Sequence, residues 1–402
     1  MTFDTTTDQH DIASLFRDIA SSHVRPDAAD TFHWHAWRAL TDAGLWRLPV
    51  PVALGGAGKG WSAFTAAFEA IVSTLGSIGF AMALANQATL IRALLAHGTV
   101  AQRDTFLPRL LAGAPGATAI SERGTGTEVR ALQTTLRTHA NGYRLDGHKY
   151  NISHAPDAAL ILVAAHCIDD GKARTALALL DPLTAGVTRT PPQATMGVRD
   201  LPVGDLEFDN VTIERESVLG SPADGLARLM DIASMNRAYF GLLCADVVQP
   251  FLADALQYMR SRKTLDVALD SHQYVQRRLV DIRVGAERSR WMALAALDQL
   301  LAGHPSALAN CSIAKLGAAR DLSQAALDLL ALHGSDGYRC GRLASFVADA
   351  LAMGSAGGTE EMHRRNIFAQ MQRHATIRVP AATAPSATTA ITASPAPERQ
   401  PA

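Results

Sequence analysis

The sequence predicts an α+β multidomain protein, with a small β region set between two helical ones. Three observations carry this. Apolar residues recur at spacings of three and four in residues 1–116 and again in 225–374. Between them, in 117–224, polar and apolar residues alternate around Asn-Gly and Asp-Gly turns. At 402 residues and 48% hydrophobic content, the chain is long enough to bury more than one core.

In the first block, DIASLFRDIASSHV and HAWRALTDAGL have helical periodicity, and VPVALGGAGKGW breaks it with Pro51, Gly55, Gly56, Gly58 and Gly60. SAFTAAFEAIVSTLGSIGFAMALANQATLIRALLAH is Ala-rich and almost uncharged, a surface suited to burial between helices. AQRDTFLPRLLAG closes the block as a short helix ending near Gly113.

In the middle block, ALQTTLRTHANGYRLDGHKYNIS alternates about Asn141-Gly142 and Asp146-Gly147, AALILVAAHCI and RTALALLDP have strand length, and VGDLEFDNVTIERESVL continues the pattern. The third block returns to helix. GLARLMDIASMNRAYFGLLCADVVQPFLADALQYMRSR is long and amphipathic, with Pro250 expected to bend or divide it. YVQRRLVDIRVGAERSRWMALAALDQLLAG and SALANCSIAKLGAARDLSQAALDLLALHG follow, the latter ended by Gly334, and a shorter helix comes after; together they predict a four-helix bundle. Residues 375–402 form an Ala/Pro-rich tail expected to be disordered, because its composition cannot offset the entropy of ordering. The expected domains are thus 1–116 (helical), 117–224 (β), 225–374 (helical bundle) and 375–402 (tail).

With 37 basic and 38 acidic side chains the formal charge is -1, so no global field attracts nucleic acid or an anionic membrane. Cys167, Cys244, Cys311 and Cys340 are widely spaced, without the clustering of a zinc site, and Cys244 and Cys311 read as buried thiols. The opening MTFDTTTDQHD has no basic region before an apolar core, and apolar runs such as Ile161–Ala165 are too short to span a bilayer, so a cytoplasmic protein is expected.

The order helix domain, β domain, helix bundle, together with a series of motifs from Asp11 to His374, resembles the acyl-CoA dehydrogenase family. LPVPVALGGAG is similar to the family's P-E-x-Y-G-G-x-G loop, and AISERGTGTEV to T-E-P-x-A-G-S-D. YRLDGHKYNIS resembles Y-x-I-N-G-x-K-x-W-I-T, YMRSRKTLDVALDSHQYVQRRLVDI a longer arginine-, Gln- and Asp-containing pattern, LALHGSDGYRC Q-x-x-G-G-x-G-Y, and SAGGTEEMHRRNIFAQ x-Y-E-G-T-x-x-I-Q-R-x-I-I-A-R.

The resemblance implies an acyl-CoA dehydrogenase-like fold with a β-barrel-like middle domain, FAD as cofactor and a homodimer or homotetramer that shares the cofactor. It places Ser121, Thr127, Ser153, Arg262, Thr264, Gln273, Gly334, Gly337 and Thr359 at cofactor contacts. A guanidinium fork at Arg262 suits phosphate oxygens. Ser153 keeps the hydroxyl of the family's threonine, whereas Asn151 loses the aromatic face of its tryptophan. Leu265 and Asp266 replace Phe-Gly, Ser335 a glycine and Ala331 a glutamine.

Dehydrogenation of an acyl thioester removes an α proton and transfers a β hydride to the flavin, and the family uses a glutamate as the base. That residue stands either immediately before Gly-Thr, which is Gly357 here, or before an arginine on the helix entering the bundle, which is Asn236 before Arg237. Neither glycine nor asparagine is a competent base. Glu360, Glu361 and Asp231 are candidate replacements, Asn236 and Tyr239 weaker donors, and Arg237 and Tyr239 candidate substrate contacts. His154 offers a titrating group after Ser153, its ordinary reading being an exposed strand-end residue, and His333 and His363 flank cofactor loops.

The implied activity is FAD-dependent dehydrogenation of an acyl thioester, on coenzyme A or an acyl carrier protein, in specialised biosynthesis, with an electron-transferring flavoprotein as one possible acceptor. A basic rim at Arg109, Arg123 and Arg130 or on the RRLVDIR helix would meet an acidic carrier. Two alternatives stay open: a flavin-dependent oxidase or monooxygenase on the same fold, and a non-catalytic flavin- and partner-binding protein. No metal is expected.

Overall fold

A computed structural model of the chain describes residues 6–25, 30–125, 128–169 and 172–377. Five helices come first: α1 Thr7–Ser21, α2 Trp34–Asp42, α3 Gly60–Leu75, α4 Ile78–His97 and α5 Val100–Leu111. Thr6 and Gln9 cap α1 reciprocally, each side chain bonding the other's backbone N–H. The Ala-rich run divides at Gly76, which ends α3 at φ 62, and the Ser77 side chain then accepts from Phe80 N to open α4. A Cβ at Gly76 would lie 2.9 Å from Pro250, so α3 turns directly against the bundle.

α4 is buried on almost every side. Its Gln87 side chain donates to Leu110 O and Ala114 O and accepts from Gly116 N, so one amide satisfies the chain crossing between the first two domains. By length and hydropathy Ile78–His97 and Pro222–Ser261 would each suffice to cross a bilayer, longer than the sequence reading allowed, but 89% and 72% of those windows are covered by protein.

The middle domain is a curled seven-stranded sheet of β1 Gly116–Ala119, β2 Thr135–His139, β3 Gly142–Ser153, β4 Leu160–Asp169, β5 Lys172–Leu180, β6 Val187–Arg189 and β7 Val203–Glu214. β1 and β2 lie end to end along one edge of β4, both parallel to it, while β5 pairs antiparallel on the other edge. β2, β3, β7 and β6 continue antiparallel. Alternate residues of these strands, such as Leu136, Leu145, Ile161, Val163 and Val211, bury one face as a core of its own.

The last part comprises α6 Gly225–Asp246, α7 Gln249–Ser261, a hairpin of β8 Lys263–Thr264 and β9 Val267–Ala268, then α8 Gln273–Leu301, α9 Ala307–His333, α10 Arg342–Ala352 and α11 Glu360–Ile377. Pro250 stands in the first turn of α7, so it divides the predicted long helix. α6 packs on α8, α9 and α4, which puts the centre of the bundle against the first domain. Helix α11 continues to Ile377, three residues into the stretch assigned to the tail; the rest of that stretch lies outside the described residues.

Candidate active site

The two positions where the family resemblance expects a glutamate, 236 and 357, are far apart in sequence, but the backbone at 357 meets the guanidinium of the residue after 236. Arg237 on α6 is 5% exposed, and its Nε donates to Gly357 O at 3.4 Å. Its Nη2 meets the Met362 sulfur at 3.4 Å, while Nη1 is buried without a partner. Beside it, Asn236 Nδ2 donates to Asn86 Oδ1 on α4 at 2.7 Å, leaving Asn236 Oδ1 unpaired. Ser234, one turn back, also keeps an unpaired buried hydroxyl.

The turn carrying Gly357 and Gly358 depends on glycine. Their φ values are 71 and 114, and a Cβ on Gly357 would meet the Phe240 ring at 2.9 Å. Lys315, buried in α9, holds both ends of this turn by donating to Met353 O at 2.8 Å and Gly358 O at 2.9 Å. Burial pushes its ammonium down to about 8. His363 is wholly buried with both ring nitrogens unpaired; burial, then the neighbouring Arg237 and Lys315, push it down to about 3. Burial also lowers Arg237, to about 10.

The candidate substitute bases are committed elsewhere. Asp231 is bidentate to Arg92 and accepts from His97 Nε2 at 2.9 Å; burial works against its charge, but these partners hold it at about 2. Glu360 lies between Arg320 and Arg364, at 2.9 and 2.7 Å, which hold its carboxylate at about 2. Glu361 points outward, 82% exposed, toward Arg364. A carboxylate fixed in this way between cations is a poor proton acceptor.

Tyr239 is also displaced from the role expected of it. Its ring is fully buried against Phe64 and Phe68, with its hydroxyl 3.0 Å from Thr65 Oγ1, and burial raises it well above the usual phenol range. On a helix, residues 237 and 239 point to different sides, so Tyr239 faces the core that α6 shares with α3.

In the β domain, Ser121 opens the β1–β2 segment and its carbonyl accepts from Tyr150 N at 2.9 Å, tying it to the end of β3. Ser153 ends β3, and Thr127 lies outside the described residues. Asn151 adopts φ 56 at a bulge and its N–H donates to Asp205 Oδ1 at 3.0 Å; asparagine tolerates this left-handed backbone better than most residues. The segment is braced by a buried pair, Lys149 Nζ to Glu122 Oε1 at 2.7 Å. Burial disfavours the Glu122 charge, but Lys149, the N–H of Gln133 and the hydroxyl of Thr134 bring it below its ordinary value. Arg365 on α11 reaches Glu128 at 2.9 Å, so the segment after Ser121 and the helix after Thr359 meet in one place.

His154 is not the exposed strand-end residue expected. It is 1% exposed, ringed by Phe32, Trp34 and Trp37 of the first domain, and burial pushes it down to about 4. Of the proposed basic rim, Arg109 pairs with Asp181 at 3.0 Å, and Arg123 stacks over Tyr150 with Asp205 3.8 Å away. Arg130 is exposed. On the RRLVDIR helix, Arg278 pairs with Asp328, and Arg277 and Arg283 pair with Asp281 and Glu287 along α8.

The remaining motif residues gather at the far ends of α7 and α9. Arg262 caps α7 and lies over the Tyr258 ring, whose hydroxyl donates to Asp336 Oδ2 at 2.7 Å. His333 stacks on the same ring at 4.7 Å. Gly334 has φ 54 and ψ -133, a conformation open to glycine, and Gly337 packs against Leu330 O. Thr264 is exposed in the hairpin, and Gln273 begins α8.

Models of the three acyl-CoA dehydrogenase domains match this chain in order: N-terminal over residues 6–114, middle over 117–211 and C-terminal over 223–372. The chain belongs to the acyl-CoA dehydrogenase family. It is 26% identical over 381 residues to a probable acyl-CoA dehydrogenase of Bacillus subtilis, YngJ, covering 92% of this chain and all of that protein. Butyryl-CoA dehydrogenase from Megasphaera elsdenii shares the fold at TM-score 0.87 and 23% identity, over 93% of this chain and 100% of that one. The prolyl acyl carrier protein oxidase AnaB does so at TM-score 0.85 and 22% identity, over 92% and 100%.

FAD is the cofactor of this family member. The structure's own features fit it. Thr118 and Thr125, on either side of Ser121, hold buried hydroxyls without partners, and the two glycines before Thr359 carry no side chain of their own. Ser121, Ser153 and Thr359 would hold the flavin, and Arg262, Gln273, Gly334 and Gly337 its phosphates.

Sequence reasoning passed over Lys315, Ser234 and Met362. The signal for Lys315 was available: a lone lysine within the apolar stretch CSIAKLGAA of α9. Ser234 and Met362 resemble ordinary helix residues, and only packing brings Met362 to Arg237.

Proposed function

We propose that this protein is an FAD-dependent oxidoreductase of acyl thioesters that acts in specialised biosynthesis, in the cytoplasm, on an acyl group carried by coenzyme A or an acyl carrier protein. One observation carries the reading: the α6 face with Ser234, Asn236 and Arg237, the Gly357–Thr359 turn and the segment after Ser121 converge between bundle and sheet. Bound FAD supplies the two-electron acceptor. The chain's own residues bind and orient: Lys315 fixes the turn, Arg237 sets a positive wall, and Met362 and Phe240 exclude water. The likeness to AnaB supports a carrier-bound substrate. The separation of Ser121 and Thr359 from the Arg262 cluster supports a cofactor shared between subunits of a homodimer or homotetramer.

A second reading, a flavin-dependent oxidase or monooxygenase, is favoured by one specific observation. Gly357 and Asn236 occupy the glutamate positions, and Asp231 and Glu360 are bound by cations. Anaerobic titration of the bound flavin with a panel of thioesters, with product masses recorded, separates the two. Bleaching with loss of two hydrogens supports dehydrogenation, with electron transfer to a flavoprotein acceptor as the next step. Turnover only with oxygen, giving peroxide or an oxygenated product, supports the second reading. Binding without either outcome leaves a non-catalytic protein.

A further inference from the structure

A cavity lies where the three parts of the chain meet, and none of its walls belongs to the flavin or substrate candidates above. Its volume is about 80 Å³, between the α3–α4 turn, the β6–β7 connection, α7 and α10. A single water needs about 10–15 Å³ of such space, so the cavity admits roughly five to eight non-hydrogen atoms. Phe80, Phe251 and Phe346 form its apolar side, the last two stacked with ring centroids 3.9 Å apart.

Both signs of charge line this space without neutralising each other. Among the described residues no ion pair joins Arg199 or Arg342 to Asp200 or Asp349; the arginines pair instead with Asp30 and Asp254, each at 3.0 Å. The Arg342 Nη2 lies over Gly76, itself part of the wall, 2.9 Å from where a Cβ would stand. On the other side, Asp200 accepts from the Ser77 hydroxyl and Asp349 from Val198 N. Burial raises both carboxyls, and the nearness of Asp200 raises Asp349 further. Two acids thus crowd one end of the cavity without a cation between them.

We infer that this cavity binds a small zwitterion, a free α-amino acid with an apolar side chain. Its ammonium lies between Asp200 and Asp349, its carboxylate at Arg342, and its side chain against the Phe251–Phe346 pair. A simple anion would meet two acids here and a simple amine two guanidinium groups, so only a ligand carrying both charges gains at each end. Alanine to valine spans the size that fits. The occupied site ties α10 to the β6–β7 connection and the α3–α4 turn, and so braces all three domains at once.

The test uses the FAD-loaded full chain, calorimetric titration and three ligands of one carbon skeleton. These are L-valine, isobutylamine, which lacks the carboxylate, and 3-methylbutanoate, which lacks the ammonium. L-Valine is expected to bind at least about tenfold tighter than either, and to raise the melting temperature. Arg342→Gln and Asp349→Asn are each expected to weaken valine about tenfold or more with FAD content unchanged. Ser345→Leu, which leaves every charge in place and fills the cavity from α10, is expected to do the same. Equal binding of 3-methylbutanoate would assign the cavity to anions and equal binding of isobutylamine to cations; either overturns the inference. Absence of binding by L-valine, L-alanine and L-leucine overturns it too. Valine binding that none of the three substitutions weakens places the ligand elsewhere and also counts against it. No thioester or flavin reduction enters these readouts, so their failure leaves the acyl-thioester reading as it was.

Discussion

Gly357→Ala is expected to destabilise the FAD-loaded protein by roughly 2–5 kcal/mol, although the position is exposed. Two physical terms add. The backbone is at φ 71, where a Cβ costs about 1–2 kcal/mol. That Cβ would also stand 2.9 Å from the edge of Phe240, which is 2% exposed and has no solvent to swing into, so overpacking adds about 1–3 kcal/mol. The second term belongs to a pair of residues and is separable. Phe240→Leu opens the wall, so the double variant is expected to lose about 1–2 kcal/mol less than the sum of the single ones. Denaturant unfolding of the four proteins, followed by flavin release and tryptophan fluorescence, gives the cycle. A neutral Gly357→Ala, or strictly additive losses, would refute the reasoning. The same wall meets a glutamate returned to position 357, so restoring the family's residue there is not a simple repair.

Further outcomes follow from the same geometry. Asp231→Asn, by freeing Arg92 and His97, is expected to cost about 2 kcal/mol of stability yet leave thioester-driven flavin reduction within about threefold, whereas loss of a true base costs on the order of a hundredfold or more; stopped-flow bleaching decides between them. Arg262→Gln is expected to weaken FAD retention about tenfold by equilibrium dialysis, and an unchanged dissociation constant would remove that residue from the phosphate site. Burial, and then the nearby Asp200, raise Asp349 to about 6 against an ordinary 3.8, despite the Val198 N–H. Its folded pKa being the higher one, its stabilisation is complete below about pH 4 and lost as pH rises to about 6, roughly 3 kcal/mol in all. Asp349→Asn, which keeps the acceptor for Val198, is expected to flatten the stability profile across that window; a profile identical to that of the parent would show that another group titrates there.

Much of the architecture was legible because it rests on local patterns. The period of three and four in ARLMDIASMNRAYF is a property of one helix, and alternation in YRLDGHKYNIS of one strand, so both can be read without neighbours. Pro250 punctuates the helices for a reason internal to its own backbone, whereas the break at Gly76 divides a run the sequence reading left whole. The site was legible only as motifs. That Ser121 and Ser153 lie at one strand end, and that Arg262 and Gly334 meet around Tyr258, depended on resemblance, since no local rule joins residues so far apart.

Side-chain fate escaped the sequence because it is decided by what arrives from elsewhere. Glu360 reads as a spare carboxylate until Arg320 reaches it from α9, and Asp231 until Arg92 reaches it from α4. His154 reads as a solvent-facing strand end until Phe32, Trp34 and Trp37 close over it. By itself the sequence determined the helix–sheet–helix order, the family and the absence of glutamate at positions 236 and 357. Tertiary structure alone decided that position 357 meets the arginine that follows position 236, because a charge's partner is set by proximity in space, and proximity is fixed only when the helices pack.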